Sequence, residues 1–333
     1  MPNAFGKDAS LRDLARLVVS FPGAGLWMTL AAVIAADATW LALSSRLSLD
    51  LWSSRPIASV MVLTPVLAIY CGSRSDVNLQ RLYVPLSGVL FITVAFTALR
   101  VLNHLTMSVP FPLADDELAR FDGLLGLNWL AYADWVAGQP FVIGAFQLAY
   151  SGLTLVALSV FVLLFAVGRV DRAKEFIRLV FWSCLAAIII GSMFPAKAAM
   201  DRFASLKLQA IFGPDAGVYS VPYLNVLRSN VPHVLNLQDL PGLVTMPSFH
   251  TACAVLIAYC CRKIRILQTS SILYAFMMIA STPIMGGHYF VDLIGGALLV
   301  VAVVLIDRKV GYFGKASSAG LPVSPIGLTT ETR

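Results

Sequence analysis

An all-α, multi-pass membrane fold is what this sequence predicts, and three observations carry the prediction. The 333 residues are 58% hydrophobic and only 13% charged, with a mean hydropathy of +0.80, far outside the composition of soluble domains. Apolar stretches of about 20 residues, each long enough as a helix to cross roughly 30 Å of hydrocarbon, recur along the chain. No alternation of apolar and polar residues argues for a membrane barrel, so the spanning segments are helical.

Taken in order, about eight transmembrane helices are expected, at 24–45, 57–73, 82–103, 145–167, 177–195, 249–261, 269–286 and 289–306. Lys7, Arg12 and Arg16 precede the first without a small-residue cleavage site, which predicts an uncleaved helix and a mature chain beginning near residue 1. Asp37, mid-way along that helix, is costly in lipid and must face the bundle. The sixth span is short, and is expected to run on to about Leu267 or to tilt. With the N-terminus inside, all but eight of the 24 basic residues fall on the inner side. The exceptions are Arg46, Arg55, Arg100, Arg120, Lys197, Arg202, Lys207 and Arg228, and the bias places both termini in the cytoplasm. Short inner loops therefore account for the net charge of +6, and nucleic acid is not an expected partner, because its binding needs cations gathered on one exposed element. The tail after about Arg308, rich in Ser, Gly, Pro and Thr, predicts disorder. Cys71, Cys184, Cys253, Cys260 and Cys261 lie in or at the ends of apolar runs without metal-ligand spacing or a disulfide framework, and predict buried thiols.

Two outer segments are too long for simple turns. From about His104 to Phe141, Leu118, Phe121, Leu125 and Trp129 recur at helical spacing, while Asp115, Asp116, Glu117, Arg120 and Asp122 stay off that stripe. This predicts an amphipathic helix lying on the outer membrane surface. The second segment, from about Ala196 to Met246, is broken by Pro214, Pro222, Pro232 and Pro241 and has the length of a lid or binding wall.

The residue types that carry chemistry gather at the outer ends of the last spans. His288 and Asp292 are four apart and share one face at the start of the eighth span. A carboxylate there can accept a hydrogen bond from one imidazole nitrogen and leave the other as base or nucleophile; a structural His–Asp pair at a helix start is the competing reading. In Met246-Pro247-Ser248-Phe249-His250, Ser248 can cap the sixth span, whose free N–H groups make an anion site with His250 at its rim. One inward and one outward crossing separate the two motifs, so topology returns both to the outer face.

In these residues the chain resembles the type 2 phosphatidic acid phosphatase superfamily, whose second and third signatures read P-S-G-H and S-R-x5-H-x3-D. Phe249 replaces the glycine of the second, and Ser281-Thr282 followed by His288 and Asp292 reproduces the third with Thr282 in place of arginine. Those departures, and the acidic segment Pro112 to Trp135 with Leu118 to Gly126 within it, resemble the branch that includes inositol phosphorylceramide synthases. The likeness covers roughly residues 80–305. It implies a segment with two added spans at 1–80, a six-helix phosphatase-like core at 81–306, and a cytoplasmic tail at 307–333.

The resemblance also implies chemistry. His288 would attack phosphorus to form a phosphohistidine, Asp292 would orient it, and His250 would protonate the leaving oxygen, with no cofactor or metal required. Ser248 and the backbone N–H groups around Phe249 and His250 would hold the phosphate oxygens. The first signature is matched least: the arginine of the branch aligns with Met200, so phosphate binding would fall to Lys197 or Arg202. The implied activity is a lipid phosphatase or inositolphosphotransferase-like transferase acting on a phospholipid, sphingolipid or polyprenyl phosphate. The site would open to the outer face of a bacterial-type inner membrane or, in a eukaryote, to an organelle lumen. The rival is an inactive lipid-binding or transport protein on the same helices. A metal-dependent intramembrane protease is disfavoured because no His-Glu-x-x-His helix is present.

Overall fold

Where the sequence runs apolar without a break, the backbone satisfies its own hydrogen bonds and a helix results. The structure, a computed structural model, describes residues 19–50, 55–73 and 77–310, so the expectations for the basic N-terminal stretch and for the tail fall outside the described residues. Three helices come first, α1 (Ala24–Leu43), α2 (Arg55–Ser73) and α3 (Val77–Met107), with a short strand β1 (Leu47–Asp50) after α1. There follow α4 (Asp115–Leu124), α5 (Trp129–Ala137), α6 (Pro140–Ser151), α7 (Leu153–Ala166) and α8 (Val170–Met193). The long loop folds into α9 (Ala199–Phe203), α10 (Leu206–Phe212), α11 (Val221–Arg228) and a strand β2 (His233–Asn236). Helices α12 (Phe249–Cys260), α13 (Arg265–Met285) and α14 (Phe290–Lys309) complete the chain.

Among the described residues, four helices are long and apolar enough to cross a membrane: α1, α3 over Leu82–Met107, α8 and α14. A fifth crossing is made if α6 and α7 form one broken span. These two, expected as one helix at 145–167, are bent by 57° at the Ser151–Gly152 pair, a combination that commonly interrupts a helix. The sixth expected span does not run on to Leu267: α12 ends at Cys260, Lys263 adopts a φ of 65°, and α13 begins two residues later. The first outer segment is two helices rather than one, with a turn at Gly126, and its stripe divides. Leu118 and Trp129 are buried, whereas Phe121 and Leu125 are exposed. The all-α expectation needs one amendment, since β1 and β2 pair in parallel from Leu47 opposite His233 to Asp50 opposite Asn236.

Helix α8 is the hub, packing against α3, α7, α12 and α14. Phe181 from α8 meets Phe91 from α3 at 5.6 Å between centroids, and Trp27 from α1 meets Phe91 edge-on at 5.1 Å. Asp37 is buried, with one carboxylate oxygen unpartnered among the described residues. All five cysteines are buried and free. At the end of the bundle opposite the long loop, Arg178 of α8 makes a bidentate pair with Asp307 of α14, at 2.6 and 2.9 Å. Glu175, also buried, joins Arg172 at 2.9 Å and Arg262 at 3.2 Å, and so ties α8 to the α12–α13 turn.

In a bilayer, helix association draws on packing and polar contacts because the tails are themselves apolar. The Arg178–Asp307 fork should therefore contribute measurably to α8–α14 docking. Asp307→Ala removes a buried carboxylate and both bonds of the fork and should cost about 1–3 kcal/mol, whereas the pair Arg178→Met with Asp307→Leu should cost less. Thermal unfolding of the purified protein in detergent distinguishes the two variants.

Candidate active site

Three segments converge on the link between α13 and α14. Gly286 ends α13, and Gly287 takes a φ of +68°, a left-handed conformation in which a Cβ would stand 2.0 Å from the carbonyl oxygen of Gly217. The link is pinned from outside: Ala199 N–H donates to Gly287 O at 2.7 Å, and Gly217 N–H donates to Met285 O at 3.0 Å. His288 follows and is 2% exposed. Its Nδ1 lies 3.3 Å from Asp292 Oδ2, at the long end for a hydrogen bond, and the same oxygen accepts the N–H of Tyr289 at 2.9 Å. Nδ1 is thus engaged and Nε2 is the nitrogen left for chemistry.

The second motif arrives through α12. Ser248 caps it by accepting from Thr251 N–H at 3.3 Å, and the N–H of Ser248 donates to the carbonyl oxygen of Asp292 at 2.9 Å, so the starts of α12 and α14 are joined directly. The His250 and His288 rings come to 5.9 Å between centroids at 71°. Tyr150 of α6 stacks on the His250 ring at 4.4 Å and 23°, with its hydroxyl 3.5 Å from Nδ1. That hydroxyl is in turn 3.1 Å from the hydroxyl of Tyr219.

The remaining residues singled out in the sequence are dispersed. Phe249 turns its ring toward Phe96 of α3, 6.2 Å away, leaving only its backbone at the helix start. Thr282 is buried and its hydroxyl donates to Met278 O at 2.7 Å, a bond within its own helix. Arg202 is paired with Asp116 at 2.5 Å, where Asp116 is largely exposed. Lys197 is half-buried; its N–H donates to the Asp115 carboxylate at 3.0 and 3.2 Å, and its ammonium has no partner among the described residues. Met200, at the aligned arginine position, is packed in the core beside Ala199. His104 is fully buried, its Nδ1 2.9 Å from Arg100 O, and His233 belongs to β2. Among the described residues no group of three or more His, Cys, Asp or Glu side chains is placed to hold a metal ion.

Four residues of the site were not legible as such: Tyr150, Tyr219, Asp115 and Asp122. Asp122, expected on the solvent side of a surface helix, is 3% exposed and accepts the N–H groups of Phe290 at 2.9 Å and Val291 at 2.8 Å. Burial raises the pKa of its carboxyl, and the two backbone bonds oppose that rise. Tyr289, just before α14, is fully buried and donates its hydroxyl to Asp115 at 2.9 Å. The spacing of Asp115 and Asp122, seven apart and so on one helix face, was the available signal.

A family model described as PAP2 superfamily matches residues 116–306, more than half of the chain. The match begins in α4, later than the third span from which the resemblance was drawn. Searches of curated proteins and of solved structures return no match.

The cap contributed by Asp122 is open to a direct test. Asp122→Ala removes both acceptors from the first turn of α14 and should lower stability by about 1–2 kcal/mol, with Asp122→Asn, which keeps one oxygen, intermediate. Unfolding midpoints of the three proteins in one detergent check the order.

Proposed function

The chain belongs to the PAP2 superfamily, a membership that suggests a lipid phosphatase-type function, and on that premise we propose a membrane-embedded lipid phosphatase or phosphotransferase that works through a phosphohistidine. The observation that carries the reading is the meeting of His250 and His288, rings 5.9 Å apart, with Asp292 on the far nitrogen of His288. His288 Nε2 attacks phosphorus as the bond from phosphorus to the leaving oxygen breaks, and His250 passes that oxygen a proton. His250 then takes a proton from water or an alcohol, whose oxygen attacks phosphorus and breaks the P–N bond. Asp292 orients His288 and stabilises the charge that develops on it. The backbone N–H groups at the start of α12, with Ser248 at its cap, face the phosphate oxygens, and Lys197 supplies the cation. Thr282 and Arg202, whose polar groups are engaged elsewhere, take no part.

In this reading α1, α2, α3, the α6–α7 pair, α8, α12, α13 and α14 make eight crossings around a six-helix core. Both termini face the cytoplasm, and the site opens to the periplasmic or lumenal side. The likeness to inositol phosphorylceramide synthases favours transfer of a phospho-head group from a phospholipid, sphingolipid or polyprenyl phosphate. An inactive lipid-binding protein is the second reading, and the pairing of Arg202 with Asp116 is what favours it.

Purified protein in detergent with a chelator, given labelled phospholipids and polyprenyl phosphates with and without inositol, should release or transfer phosphate. His288→Ala should lose at least about 10³-fold in rate, and quenching the wild type in alkaline denaturant should trap a phosphoenzyme that is stable in base and lost in acid. Turnover by His288→Ala equal to the wild type would end the catalytic assignment.

A further inference from the structure

The sequence replaces the arginine of the third signature by Thr282, whose hydroxyl is already committed to Met278 O. The phosphoryl oxygens on that side therefore need another donor. A Cβ built on Gly286 would lie 2.7 Å from Cδ2 of His288, 2.7 Å from the hydroxyl oxygen of Tyr150 and 2.9 Å from the carbonyl oxygen of Thr282. Those three atoms surround one small space, kept open because residue 286 has no side chain. Cδ2 is bonded to Nε2, the nitrogen that Asp292 leaves free, so the Tyr150 hydroxyl stands on the reacting side of the His288 ring.

We propose that Tyr150 is a catalytic residue whose neutral hydroxyl donates a hydrogen bond to a non-bridging oxygen of the phosphoryl group on His288, with Tyr219 holding that hydroxyl in place. This rests on the phosphohistidine reading above. Stacking on His250 fixes the Tyr150 ring. The hydroxyl of Tyr219 lies 3.1 Å from that of Tyr150; in the proposed role it is the donor of the pair, which leaves the Tyr150 proton to point at the ligand. Tyr219 reaches this position because Gly217, two residues earlier, is hydrogen-bonded to Met285. Burial raises its pKa, which keeps it protonated as a donor. No proton is transferred by either tyrosine: the hydrogen bond strengthens as charge builds on the phosphoryl oxygens, as a preorganised donor should.

The test uses Tyr150→Phe and Tyr219→Phe in the full chain, with dioctanoyl phosphatidic acid as substrate and orthovanadate as a probe that forms a five-coordinate mimic of the transferring phosphate. Tyr150→Phe keeps the ring stack and removes only the hydroxyl. Its kcat should fall about 100-fold with KM within about threefold of wild type, and vanadate affinity should weaken by a similar factor. Tyr219→Phe should show the same pattern at about tenfold. Unfolding midpoints unchanged in both variants separate this from a packing defect; if Tyr150→Phe fails to fold, Tyr150→Gln exceeding Tyr150→Leu in vanadate affinity makes the same case. An active wild type matched by Tyr150→Phe in kcat and vanadate affinity overturns the role of the tyrosine and leaves the histidines standing. A wild type that neither turns over the lipid nor binds vanadate removes the phosphohistidine reading and the tyrosine with it.

Discussion

A helix that starts within a covered part of a protein brings several backbone N–H groups with no intrahelical acceptor, and the first turn of α14 poses that problem beside His288. Carboxylates resolve it. Asp292 accepts from Tyr289, and Asp122, arriving from α4, accepts from Phe290 and Val291. Asp115, two turns earlier on the same face of α4, accepts from the Tyr289 hydroxyl and from the backbone of Lys197. The acidic helix thus acts as a cap supplied by a distant part of the chain. The orientation of His288, the docking of the α8–α9 connection and the entry of α12 all follow from how that one helix start is satisfied.

Much of the bundle could be read from the sequence because hydropathy acts locally: an apolar run forms a helix whatever its neighbours do. The pairing of His288 with Asp292 was legible for the same reason, since a four-residue separation on a helix settles proximity without tertiary knowledge. What escaped depends on partners remote in sequence. Asp122 looks like part of a polar face turned to solvent until α14 is seen to need acceptors there. Tyr150, a lone tyrosine near the end of an apolar run, carries the pattern of an interfacial anchor. The bend after Ser151 and the four-residue strands lie below the length at which periodicity speaks.

The positions at which the superfamily places guanidinium groups are filled here by groups that cannot bind an anion. Thr282 bonds within its helix and Met200 is core. Arg202, the nearby candidate, is tied to Asp116. In the proposed site the cation falls to Lys197 alone, and the other donors are neutral N–H and O–H groups. In the proposed reaction, transition-state charge would be met mainly by dipoles held in place before substrate arrives, which are effective when they need no rearrangement.

The small parallel sheet carries a different lesson. β1 follows the first helix and β2 lies in the loop that leads to the site, and Leu47 and Leu235 on these strands are both buried. The segment in front of the family-matched region is therefore stitched to the middle of that region. A shortened polypeptide beginning near residue 116 would leave β2 with a raw edge and an uncovered apolar strip, an invitation to pair with another copy. The front helices are, in that sense, a built-in chaperone for the loop that leads to the candidate site.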